Sequence, residues 1–265
     1  MSLTIPDKVL AESPWSYSKA NCALTCPYKY HRQYHLKDYV RMIEPLKTRV
    51  GKNIHLVLEW IAMGMGVGQA FAKLAEVKEM THDEATTVQL YRDAVQDFTQ
   101  RLKSLCQKHQ VHPSKVQAER NVGIYPDFTP TRGYTKKALF TGVVDLTLTL
   151  PSRETIAVDH KTGAVMPLEK HRAQLAPYAV VLQAHNPKTI AVQVGIHNVG
   201  ADPDDKGSRM EWLAPFSART VYKELRVELI DFLTRAAEKS EDQDPCKSWL
   251  CGFCAYKTTT CPLFG

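Results

Sequence analysis

Residues 139–150, LFTGVVDLTLTL, and residues 154–163, ETIAVDHKTG, are the two runs whose reading decides the fold. Both are rich in β-branched and aliphatic residues, the first alternates over much of its length, and Pro and Gly clusters flank them. Each therefore predicts a β-strand. Asp145 and Asp159, fourteen positions apart, each stand at the end of an apolar run, where neighbouring strands can bring them together. Lys161 follows Asp159 by two residues and shares its strand face.

Outward from this pair, VQAERNVGIY (116–125), KTIAVQVGIHNV (188–199) and RMEWLAPF (209–216) predict three more strands. Helical spacing holds from Gly51 to about Leu74, with Ile54, Val57, Leu58 and Ile61 on the apolar side and His55 and Glu59 together on one face. It returns over residues 82–109, 167–183 and 217–239. The segment from Ser13 to Tyr39 predicts a capped turn into a short helix, with Ser16 or Ser18 as N-cap. Strands interrupt helices throughout, an order that predicts an α/β fold with a mixed sheet and no internal repeat.

The 265 residues suffice for a full core and are taken as one domain. Within it, 1–50 is an N-terminal segment, 51–115 a helical region, 116–240 the α/β core and 241–265 a cysteine-rich tail. Apolar residues make up 44% and charged residues 23%, a globular composition that gives no support for extensive disorder. No apolar stretch approaches the roughly 20 residues needed to cross a bilayer, and no basic segment followed by an apolar one opens the chain. The expected location is the cytoplasm, at the nucleoid or, for a viral protein, in the host cytoplasm. A net charge of +6 is compatible with a phosphate-rich partner without requiring one.

Two carboxylates beside a lysine suit phosphodiester hydrolysis. Hard divalent cations prefer oxygen ligands, and a bound cation lowers the pKa of water while stabilising charge on the phosphate. A lysine there orients the attacking water and stabilises negative charge in the transition state. Taken alone, D-x-K on a strand edge is common by chance.

Other features stand in order around this centre. Gly51-Lys52-Asn53-Ile54-His55 precedes a helix, Glu119 lies in the strand before Gly142, and Gln174 with Tyr178 forms Q-x3-Y after the lysine strand. In this order, over nearly the whole chain, the sequence resembles the RecB-like branch of the PD-(D/E)XK nucleases. The resemblance implies a restriction-endonuclease-like core with a central mixed sheet flanked by helices, a helical insertion and a C-terminal cysteine-rich metal-cluster segment. It implies Mg2+ or Mn2+ bound by His55, Asp145, Asp159 and the main-chain carbonyl of His160, with Lys161 positioning the nucleophilic water. Glu119 is expected as a supporting or second-metal residue, with Gln174 and Tyr178 bordering the active site.

Seven cysteines without a secretory signal favour metal ligation or reduced thiols over disulfides. Cys251 and Cys254 form a C-x2-C pair, Cys261 offers a third thiolate, and Cys246 or Cys26 the fourth. With Cys246 the centre would suit structural Zn2+. With Cys26, the chain resembles a subgroup of RecB-like nucleases, including AddB and CRISPR-associated exonucleases, in which one early and three late cysteines bind a [4Fe–4S] cluster. That cluster would join the two ends of the chain, while Cys22 and Cys106 are expected to be buried or incidental.

Candidate DNA contacts are the basic and aromatic residues Tyr28, Lys29, Tyr30 and Arg32, and the pair Lys136 and Lys137. The expected substrate is DNA, single-stranded or with free ends, in recombination, repair or processing. The absence of P-loop motifs means that unwinding a duplex would need a helicase or another recombination or CRISPR partner. Two other readings are a catalytically silent nucleic-acid-binding module and a zinc-stabilised adaptor. The first does not need the complete Asp145, Asp159 and Lys161 set, and the second leaves the ordered motifs unexplained.

Overall fold

The computed structural model describes residues 3–40, 44–131, 134–163, 165–200, 209–248, 251–252 and 254–264. Six strands form one mixed sheet: β1 Val116–Ile124, β2 Phe140–Thr149, β3 Glu154–Lys161, β4 Ala191–Asn198, β5 Arg209–Trp212 and β6 Phe216–Ser217. The first three form an antiparallel meander. A crossover carrying α8 (Arg172–His185) then returns the chain to place β4 parallel to β3, and β5 and β6 pair antiparallel with β4. This is the α/β architecture with a central mixed sheet expected from the sequence.

Ahead of α8, the helices are α1 Asp7–Ala11, α2 Tyr17–Thr25, α3 Pro27–Tyr30, α4 Leu46–Ala62, α5 Val67–Val77, α6 His82–Gln89 and α7 Arg92–Lys108. After the sheet come α9 Ala218–Thr220 and α10 Arg226–Ser240. Each sheet face is closed by its own apolar cluster. Leu146, Leu148, Ile156 and Val158 join Ile54, Leu58, Val95 and Phe98 of α4 and α7. Val144, Ala157, Val194 and Ile196 join Leu175, Ala179, Leu229 and Leu233 of α8 and α10.

β3 alternates between these clusters as a strand covered on both faces should. β2 does not: Val144 and Leu146, two residues apart, belong to opposite clusters, with Asp145 between them. The β2–β3 ladder also stops here, its last pair being Leu146 with Val158, so the next level holds Asp145 and Asp159. On β1, Ala118 and Arg120 pair with Leu146 and Val144, but Glu119 between them is unpaired and has φ +46°. A left-handed backbone is costly at a non-glycine residue and is held only by its surroundings. Three carboxylates thus occupy one level of the sheet, where regular pairing breaks down.

Several boundaries differ from the sequence reading. Residues 51–74 form α4 and α5, separated by a turn in which Gly64 has φ +99°, a conformation glycine adopts without a Cβ clash. Residues 82–109 are divided at Leu90 and Tyr91. RMEWLAPF forms β5 and β6, with register on β4 slipping by one residue across the gap that contains Pro215, whose missing N–H cannot join a ladder. The 217–239 stretch starts with α9 and a wider helical turn over Val221–Leu225 before α10. Ser16 caps α2, its Oγ accepting from the amide of Lys19 at 3.1 Å, whereas Ser18 lies within the helix.

The cysteine-rich tail lies against the N-terminal segment. The Tyr256 ring is buried and its hydroxyl donates to the carbonyl of Asp38, while the Tyr28 hydroxyl donates to the carbonyl of Thr260. Among the described residues, no helix is long and apolar enough to cross a membrane.

Candidate active site

The approach of α4 to the end of β3 depends on Gly51, where an added Cβ would lie 2.7 Å from Thr162 Oγ1. One turn later, His55 faces the sheet with Nδ1 3.6 Å from Asp145 Oδ2. The kink at Glu119 completes the group: ligand atoms of His55, Glu119 and Asp145 all lie within 4.8 Å of one another. Asp145 Oδ2 also accepts the amide of His160 at 2.6 Å. That bond takes the place of the next ladder contact between β2 and β3.

Asp159, expected as a central ligand, lies outside this group of three. Its Oδ2 is 2.7 Å from Lys161 Nζ, and its Oδ1 accepts from Gln174 Nε2 at 2.8 Å. Gln174 Oε1 in turn accepts from Lys161 Nζ at 3.1 Å, closing a triangle that fixes all three side chains. Tyr178, one helical turn after Gln174, lies over Gly142, where a Cβ would approach its ring to 3.2 Å.

Burial raises the pKa of Asp145 to about 8, with the charges of Asp159 and then Glu119 adding to the rise; the His160 amide and Lys161 oppose it. Glu119 is also raised, by burial and then by Glu59 and Asp159. His55 is lowered by burial, which favours the neutral imidazole a metal requires, and its ring hydrogen-bonds the main chain of His160. The cluster thus carries more negative charge than it can hold unprotonated, which a cation would correct.

The His160 ring meets His55 edge-on, with centroids 5.8 Å apart, and extends the site into a buried layer. Its Nδ1 is 2.8 Å from Nδ1 of His197 on β4, and Phe98 stacks on the His197 ring. Burial lowers the pKa of both rings, that of His197 to about 3. Sequence reading missed His197 because its contact exists only through the parallel register that sets it opposite His160.

Of the proposed nucleic-acid contacts, Tyr30 is corrected outright. Its ring is fully buried in the core and its hydroxyl donates to Glu12, so it cannot receive a base. Arg32 is paired with Asp38 within the N-terminal segment, and Tyr28 joins that segment to the tail. Lys136 and Lys137 are exposed. A feature absent from the sequence reading is an open groove of about 680 Å³ in which Lys47, Lys52 and Lys78 line the approach to His55, Glu119 and Asp145.

The cysteines converge from both ends. A cavity of about 180 Å³ is lined by Cys26 at the end of α2, by Cys251 and Cys254 of the tail, and by Lys29. Cys22, expected to be buried or incidental, is half-buried and lines the cavity as well. Cys261 is buried, Cys246 is exposed, and Cys106 lies in the separate cluster beside α7.

The family model of the PD-(D/E)XK nuclease superfamily matches residues 14–262, and the chain belongs to that superfamily. A crystal structure from Eubacterium rectale, of a protein provisionally named an exonuclease, aligns over 98% of this chain and 94% of its own at TM-score 0.50 and 11% identity. At that identity the likeness is one of fold. A second structure, SSO0001, aligns over the same shares at 12% identity and TM-score 0.42. No curated protein matches.

Proposed function

We propose that this chain is a divalent-metal-dependent deoxyribonuclease of the RecB-like branch, an exonuclease acting on single-stranded DNA or DNA ends. The observation that carries the reading is the meeting of His55, Glu119 and Asp145 beside the Asp159–Lys161–Gln174 triangle. Two carboxylates and one neutral imidazole fit Mg2+ or Mn2+. Asp159, held in the triangle with Lys161 and Gln174, and the main-chain oxygen of His160, whose amide donates to Asp145, are the neighbouring oxygens on β3 read as further ligands. When bound, the ion supplies Lewis acidity and lowers the pKa of water. Lys161, held by its ion pair with Asp159 and its hydrogen bond to Gln174, presents a fixed positive charge to the developing charge on the phosphate. Lys47, Lys52 and Lys78 guide the backbone into the groove.

The ion must displace the proton that Asp145 retains below about pH 8. Mn2+ affinity is therefore expected to rise about tenfold per pH unit from pH 6 to about 8 and then level off, with one proton released per ion. Calorimetric titration in buffers of different ionisation enthalpy measures both. An affinity flat across that range would remove Asp145 as the titrating ligand.

The cysteine cavity is read as the site of a [4Fe–4S] cluster on Cys26, Cys251 and Cys254, which line it, with the buried Cys261 as the fourth ligand. Tetrahedral Zn2+, the alternative, holds thiolates about 3.8 Å apart, given a Zn–S bond of about 2.3 Å. Among the described residues, no three cysteine sulfurs lie within 4.8 Å of one another. Anaerobically purified protein should be brown; a colourless preparation with stoichiometric zinc would favour the alternative.

Incubation of end-labelled single-stranded and duplex DNA with Mg2+ or Mn2+ tests the catalytic reading. Metal-dependent release of short products from an end, stopped by EDTA, is expected, the duplex requiring a partner helicase for extensive digestion. Inactivity on every substrate in protein with its cluster intact would move the reading to a binding module.

A further inference from the structure

The catalytic group has a second approach, chemically unlike the lysine-lined groove. On the α8 side of β1 and β2 lies a cavity of about 380 Å³ whose lining includes Tyr17, Asn121, Tyr134, Gly142, Gln174 and Tyr178. Gln174 and Tyr178 belong to both: one holds Lys161 and Asp159, and the other lies close enough to feel the charge of Asp159. Gln174 is thus the shared wall: it lines the cavity while donating to Asp159 and accepting from Lys161.

Among the described residues, none of those lining it is charged. They offer aromatic rings, hydroxyls and amides, which suit a flat heterocycle with polar edges and do not suit a phosphate. The rings are also held. Tyr17 stacks on Phe232 at 6.1 Å and 15°, and its helix is capped by Ser16. Tyr134 stands at the mouth, 72% exposed although large and aromatic. Gly142 leaves the floor open, since any side chain there would meet the Tyr178 ring.

We propose that this cavity is a nucleobase subsite, taking the unstacked base of a nucleotide beside the scissile phosphate while its backbone follows the lysine groove. The inference rests on the nuclease reading and deepens it, because it names what the strand must be. A base cannot occupy the cavity while still paired, so the nucleotide there is unpaired, and a strand already single avoids the cost of extruding a base from a duplex. Tyr134 and Tyr17 then determine specificity for the strand, and Tyr178 connects the base subsite to the reacting centre.

The test is anisotropy binding with Ca2+ replacing Mn2+, using an oligothymidine and the same oligomer with abasic residues at its ends. Tyr134→Ala should bind the normal oligomer about tenfold more weakly, the loss of roughly one stacked base. It should bind the abasic oligomer as wild type does, and Tyr134→Trp should restore normal binding. Equal weakening on both oligomers, or on neither, overturns the subsite. Cleavage by wild type in Mn2+ is scored separately: a chain that discriminates the two oligomers through Tyr134 but cuts neither would remove the nuclease reading and leave the base subsite standing.

Discussion

Lys161→Ala is expected to lower DNA cleavage about 10³-fold or more, through kcat and not through KM. The lysine is fixed by Asp159 at 2.7 Å and Gln174 at 3.1 Å, so its charge is already oriented before substrate arrives. Preorganised groups of this kind each contribute about 10²–10³ in rate, and removal here has a second effect. Lys161 is one of the two influences that hold down the Asp145 pKa. Its loss leaves Asp145, Asp159 and Glu119 with less compensating charge, so the variant should bind Mn2+ with a pH dependence shifted upward. The fold should survive, because the Lys161 side chain is partly exposed, 29%, and contributes no apolar packing to either sheet cluster. Single-turnover kinetics, together with an unchanged far-ultraviolet spectrum, measures this. Wild-type turnover would end the role assigned to Lys161.

Cys254→Ser is expected to cause the largest loss of stability, a fall in Tm of about 10 °C or more. Cys254 comes from the tail and Cys26 from the end of α2, and both line one cavity. A centre that binds them closes nearly the whole chain into a loop, which removes conformations from the unfolded state. Without it, the tail is held mainly by Tyr256, Tyr28 and their carbonyl partners. Calorimetry and iron content should fall together. A variant that melts as wild type does and keeps its iron would show that Cys254 is not a ligand.

What the sequence disclosed followed from local chemistry. The strand pair at 139–163 was legible because aliphatic alternation and turn residues act over a few positions. The Q-x3-Y spacing placed Gln174 and Tyr178 on one helical face, where the structure has them. The helix break at Gly64 was missed because apolar periodicity continues through it, and only the left-handed backbone reveals the turn. Glu119 illustrates the same limit at the site. Nothing in VQAERNVGIY marks its unusual φ, which arises where β1 and β2 change faces together. Tyr30 was misread for the opposite reason: a basic, aromatic stretch looked like a surface, but the helix turns that ring into the core.

The docking of the tail also sets an order in time. Tyr28 meets Thr260, 232 residues later, and Tyr256 meets Asp38, 218 residues earlier. A ribosome adding about 5–20 residues per second exposes the first partner well before the second exists. The sheet and its carboxylates can assemble during that interval, but the cysteine cavity cannot. Its last wall is made only when synthesis has passed residue 254, so a chain stalled earlier carries the three carboxylates of the sheet without the contacts that join its two ends.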